Sequence, residues 1–134
     1  MKAAIRVKLL AGTYVLQTTL LKFGKSKSGT CLLCDEEEED TVHFLVRCKS
    51  LEEERFRWKS EIDYFLLQAK VPVQSAEDWV KLVVNGGSGG VLNVFNNGQW
   101  WCDFNRLCNR FLSNLHISRD QKINDILLRK EGGS

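Results

Sequence analysis

Cys31, Cys34, His43 and Cys48 follow the pattern C-x2-C-x8-H-x4-C. No other feature constrains the chain as strongly. Two cysteines three apart can turn their sulfurs onto one point, and the eight-residue arm is long enough to fold back. His43 and Cys48 can meet the same point from the end of a short helix and the turn after it. Three soft thiolates and one imidazole suit a tetrahedral Zn²⁺. All four positions are filled by protein, which is the pattern of a structural site; a catalytic zinc keeps a position for water or substrate. The chain has five cysteines, an odd number, so a complete set of internal disulfides is excluded. A redox role for Cys31 and Cys34 lacks the strand context of a thioredoxin-type motif and leaves His43 and Cys48 without a task.

The zinc knuckle is assigned to residues 25–50. Around it, 134 residues with 43% hydrophobic and 27% charged side chains suffice for one domain with a core. The periodicity predicts a mainly α fold, a small helical domain in which the knuckle links an N-terminal helix pair to longer helices. The first helix covers 3–11 with Gly12 as its stop, and the second runs from a Thr13 cap to Leu21, ended by Gly24. Thr41 is the expected cap of a short helix through 42–45. The clearest helix is 51–68, with Glu52, Glu53 and Glu54 at its positive end and Leu51, Arg55, Trp58, Ile62, Phe65 and Leu66 in apolar register. Ser75 and Asp78 resemble a capping box for a helix to about Val84. Residues 91–97 are either a helix start or an extended stretch. A long helix is predicted over 99–115, and 117–130 either continues it or restarts.

Gly86-Gly87-Ser88-Gly89-Gly90 reads as an engineered flexible linker in place of a natural loop, and Gly132-Gly133-Ser134 as an added tail. No apolar run approaches the ~20 residues of a membrane span, and Lys8 interrupts the short N-terminal one. The expectation is an intracellular protein, nuclear or cytoplasmic, without membrane contact. Gly-rich phosphate loops followed by lysine, GxSxG elbows and open metal sites are all missing, so the residues suggest neither an enzyme nor a small-molecule substrate.

Charge is unevenly placed. Residues 1–30 carry six bases and no acid, whereas 31–60 carry nine acids against five bases. The acidic run 35–40, beside a zinc centre of charge −1, makes the knuckle tip a poor phosphate binder; it is read as a solvated loop. Arg6, Lys22, Lys25 and Lys27 form the candidate nucleic-acid surface, with Lys25 and Lys27 in a polar loop able to reach phosphates. Trp58, Trp79 and one of Trp100 and Trp101 are assigned to the core. Cys108 is also assigned to the core, Cys102 is read as a free thiol, and His116 as a helix-end residue.

Several of these segments together resemble a known domain. Leu9-Leu10-Ala11-Gly12-Thr13-Tyr14-Val15-Leu16-Gln17, the Cys31-Leu32-Leu33-Cys34 turn, the acids and Thr41-Val42-His43-Phe44-Leu45-Val46-Arg47-Cys48 are similar to the zinc-binding (CCHC) domain C-terminal to the reverse transcriptase in non-LTR (LINE-type) retrotransposon proteins. The stretch 104–116 resembles, more loosely, a closing helix of such proteins. Leu32 and Lys49 stand where that family often has proline. The resemblance implies an accessory, non-catalytic role. The domain would contact RNA or target DNA during target-primed reverse transcription, beside the polymerase domain of the parent protein. The alternative class is a protein-interaction or packing module, natural, repurposed or engineered, with zinc as scaffold only, docking through the helix at 99–115.

Overall fold

A computed structural model describes residues 2–85 and 98–132. The Gly-Ser run at 86–90, the segment 91–97 and the last two residues lie outside the described residues, as does the side chain of Trp101. The mainly helical expectation holds, and among the described residues there is no strand, only an isolated bridge between Thr30 and Glu38.

Helix α1 spans Lys2–Ala11. It turns Leu9 into the core with Ile5 against it and leaves Val7 and Leu10 outside. Gly12 ends it at φ 71°, a left-handed conformation that costs glycine little, and the Thr13 amide bonds back to the Lys8 carbonyl at 2.9 Å. The second helix does not start at Thr13. The Tyr14 amide also bonds to the Lys8 carbonyl, and Tyr14 and Leu16 enter the core while Val15 points out. Helix α2, Gln17–Lys22, begins only where Glu39 accepts the Gln17 amide at 2.9 Å. Its cap therefore comes from a residue 22 positions away, which local sequence does not reveal.

Helix α3, Glu52–Gln68, follows a 3-10 turn at Lys49–Leu51. It buries Arg55, Ile62 and Leu66 at helical spacing, with Trp58 and Phe65 partly covered. Helix α4, Ala76–Asn85, starts as predicted, with Ser75 Oγ accepting the Asp78 amide at 3.1 Å. Trp79, Leu82 and Val83 are buried on it.

Helix α5 runs unbroken from Gly98 to Gly132, 35 residues, or about 50 Å at the usual rise. No glycine or proline interrupts 99–131, and the buried register Phe104, Cys108, Phe111, Leu115 continues one turn further to Arg119. That inward turn is why the helix does not restart at 117. α5 is the spine of the fold and lies against α3, α1 and α4. Trp79 meets Phe111 edge-on at 5.5 Å, and Trp100 stacks on Phe104 at 5.0 Å.

Candidate metal centre

The cysteine arm is a tight turn closed by the Asp35 amide bonding the Cys31 carbonyl at 3.0 Å. Asp35 takes φ 57°, a left-handed position that aspartate tolerates better than most residues. The chain then returns alongside itself. The Cys31 amide bonds the Glu37 carbonyl and the Glu39 amide bonds the Gly29 carbonyl, both at 2.8 Å. This return brings 37–40 under the turn and delivers the histidine arm.

The arm opens on Asp40, whose carboxylate accepts the His43 amide at 2.8 Å and whose carbonyl accepts the Phe44 amide. Asp40, not Thr41, caps it. The helical segment His43–Arg47 is wound as a π turn, closed by the Cys48 amide on the His43 carbonyl at 2.8 Å. An i→i+5 bond is wider than an α turn, and it sets residues five apart on one side of the coil. The x4 spacing between His43 and Cys48 is thereby converted into a shared direction.

The four ligand atoms converge within 4.8 Å of one another. Cys31 Sγ and Cys48 Sγ are 3.8 Å apart, and Cys34 Sγ lies 3.4 Å from His43 Nε2. Cys31, His43 and Cys48 are buried and Cys34 is half-buried. The arrangement is compatible with one ion held by four protein atoms.

The surroundings suit such an ion. His43 Nδ1 donates to Glu37 Oε2 at 2.9 Å, which fixes the tautomer that leaves Nε2 with a lone pair facing the sulfurs. The Cys31 contact and the Ser50 amide hold the Cys48 thiol below its ordinary range, although burial opposes them. The Cys31 thiol is pushed up by the same Cys48 contact and by burial. An ion bound here would displace the thiol protons. The amides of Leu33 and Cys34 favour the Cys31 thiolate. Behind Cys48, Arg55 is buried and donates to the Cys48 carbonyl at 2.8 Å. Burial lowers its pKa while the nearby Cys48 charge raises it.

The acidic run is not a solvated loop throughout. Glu39 is 2% exposed and makes a two-pronged ion pair with Arg119 of α5, itself 2% exposed, at 2.8 and 2.7 Å. Glu39 Oε2 also lies 3.9 Å from Cys31 Sγ. Arg119 further donates to the Val15 carbonyl at 3.0 Å and lies within 6 Å of the Tyr14 and Phe44 rings, which stack on each other. One carboxylate therefore joins α2, the cysteine turn and α5. Glu36 pairs with Lys49 at the rim.

Arg6 and the lysines part company. Lys22, Lys25 and Lys27 are exposed. Arg6 is turned inward, where Nη2 donates to the Val83 carbonyl at 2.9 Å and Nη1 to the Asn105 side chain, bolting α1 to α4 and α5. Burial lowers its pKa. The loop carrying Lys25 and Lys27 is also ordered. Ser26 Oγ donates to the Ser28 carbonyl at 2.8 Å, accepts the Ser28 amide at 3.3 Å and lies 3.3 Å from the side-chain oxygen of the buried Gln17.

His116 is a mid-helix residue rather than a helix end, hydrogen-bonded through Nδ1 to the Tyr14 hydroxyl, with Asp120 on its other nitrogen. Cys108 is fully buried and Cys102 exposed, as the register suggests. Burial pushes the Cys108 thiol up to about 12. Sequence reasoning puts Glu37 and Glu39 in the solvated acidic run and Arg119 in a second, diluted basic set with Arg106, Arg110, Lys122, Arg129 and Lys130; burial of Arg119 against Glu39 removes it from any such surface. The available signal was Arg55 and Arg119 standing in otherwise apolar helix registers, since a charge there demands a buried partner. No helix among the described residues is long and apolar enough to cross a membrane. Compared with known proteins, the chain matches no family model, no curated protein and no solved structure.

Proposed function

We propose that this chain is a zinc-stapled, non-catalytic helical module that binds nucleic acid beside a reverse transcriptase in a non-LTR retrotransposon protein. Zinc is favoured over other ions by ligand chemistry and size. Magnesium and calcium take oxygen ligands, and iron–sulfur clusters take mainly cysteine. Bonds of ~2.3 Å to sulfur and ~2.0 Å to nitrogen give tetrahedral edges of ~3.8 Å between sulfurs and ~3.5 Å from sulfur to nitrogen. The observed 3.8 and 3.4 Å match two of those six edges, and with all four atoms within 4.8 Å of one another a small inward movement closes the set on an ion. The closed ligand set supports a scaffolding role for the metal.

The observation that carries the nucleic-acid reading is the ordered turn bearing Lys25 and Lys27. It leads directly into Cys31 and is pinned to the acidic arm by the Gly29–Glu39 bond. With Lys22 at the end of α2, it presents three exposed cations on a stretch that itself carries no acid, the acidic arm pairing with its far end at Gly29 and Thr30. The metal would hold the surface in shape, and the lysines would meet phosphates.

Fluorescence anisotropy with labelled single-stranded RNA and duplex DNA at two salt concentrations tests this. Three phosphate contacts on a single strand give a log–log salt slope of about −2, so affinity falls about 20-fold from 50 to 200 mM salt. Lys25→Glu with Lys27→Glu should abolish most of the binding and flatten that slope. Absence of binding at low salt would refute the reading.

A groove of 360 Å³ bounded by Tyr64, Phe65 and Trp100 favours a second reading, a protein-docking module. Docking there would be insensitive to salt and weakened by Trp100→Ala.

A further inference from the structure

We infer that Phe23 is a base-stacking platform within the lysine surface, which makes single-stranded nucleic acid, rather than duplex, its ligand. The inference rests on the nucleic-acid reading and narrows it. Three large aromatic side chains stand exposed among the described residues: Phe23, Phe56 and Tyr64. Phe56 and Tyr64 lie on α3, whose exposed positions also carry Glu52, Glu53 and Glu61. Phe23 alone lies in the acid-free stretch, between Lys22 and Lys25. It is 56% exposed, so its ring is accessible to a ligand beside the lysines.

Its backbone is fixed. The Phe23 amide bonds the Thr19 carbonyl at 3.1 Å, the Gly24 amide bonds Leu21, and the Lys25 amide bonds Leu20 at 2.8 Å. Gly24, at φ 71°, reverses the chain just after the ring, so Lys25 follows at once. Lys22 Nζ lies 5.9 Å from the ring centroid, so π surface and ammonium form one unit. A backbone held in advance on both sides of the ring loses little conformational freedom on binding.

That combination matches an unpaired strand. Splayed bases offer π faces to an aromatic side chain while phosphates meet lysine. Paired bases are already stacked on one another and present only their edges in the grooves, so a ring on a turn must first unstack a base step, at a cost in free energy, to gain anything from duplex. Helix α2 has six residues and no extended basic face for a groove.

The test is anisotropy of the zinc-loaded protein with a short unstructured uridine-rich RNA and with a duplex of equal length. The variants are Phe23→Ala, Phe23→Leu and Phe23→Trp, each checked for unchanged circular dichroism and metal content. Phe23→Ala should weaken single-strand binding by about tenfold and leave duplex binding nearly unchanged. Phe23→Trp should retain single-strand affinity, and Phe23→Leu should behave like alanine, because it keeps the apolar bulk but not the π face. Equal loss on both ligands, no loss on either, or a leucine variant equal to wild type would overturn the stacking role while leaving the lysine surface standing. No nucleic-acid binding at low salt would remove both proposals. Phe23-dependent binding to phosphatidylserine vesicles in its place would make the patch a membrane anchor.

Discussion

Replacing Arg119 by methionine should be among the most damaging single changes available outside the metal ligands. Methionine keeps much of the side-chain volume but removes the cation. Glu39 would stay buried, stripped of two charge-assisted bonds of 2.8 and 2.7 Å. The Val15 carbonyl would lose its donor, and the Tyr14 and Phe44 rings their guanidinium. Breaking a buried ion pair from one side costs about 3–5 kcal/mol, much of it the isolated charge left behind. Removing that charge as well, in Glu39→Gln with Arg119→Met, should recover at least about 2 kcal/mol, since the glutamine oxygen can still accept the Gln17 amide. Urea unfolding of the metal-loaded single and double variants measures both quantities. Chelator competition supplies a second readout, because an uncompensated carboxylate 3.9 Å from Cys31 Sγ opposes the thiolate and weakens metal binding. A single variant within about 1 kcal/mol of wild type would refute the role of this pair. So would a double variant no better than the single.

Glu37→Gln should lower metal affinity about 10–100-fold by loosening the His43 ring, measured by competition with a colorimetric chelator. In the metal-loaded protein a thiol reagent should label Cys102 rapidly and the other four cysteines slowly, with Cys31, Cys34 and Cys48 released on chelation, as mass spectrometry would show. Alkaline stability should depend on Cys108. Its folded pKa, about 12, is raised from 9.0, so the folded state binds the extra proton. The stabilisation is full below pH 9 and lost as pH rises from 9 to 12, with a slope of up to about 1.4 kcal/mol per unit. Denaturant unfolding of Cys108→Ala should show a lower but flatter alkaline limb than wild type.

The residues that announce themselves in the sequence are those whose chemistry is local. Cys31, Cys34, His43 and Cys48 lie within one short segment, and their type and spacing restrict them to one task. The registers of α3, α4 and α5 follow from apolar residues three and four apart, and Gly12, Gly24 and Ser75 mark helix ends because their backbone preferences act on neighbouring residues. Tertiary structure decided everything that depends on a partner far along the chain. The α2 start belongs to Glu39 rather than Thr13, since only the folded return of the acidic arm brings a carboxylate to the Gln17 amide. The burial of Glu39 required Arg119, 80 residues later, and composition alone could not separate it from its exposed acidic neighbours. Arg6 has the same charge as Lys22, yet the packing of α1 against α4 and α5 turned it inward, where carbonyl and amide acceptors replace water. A side chain's type sets which interactions it can make; whether a charge meets solvent or a buried partner is settled only when distant segments meet.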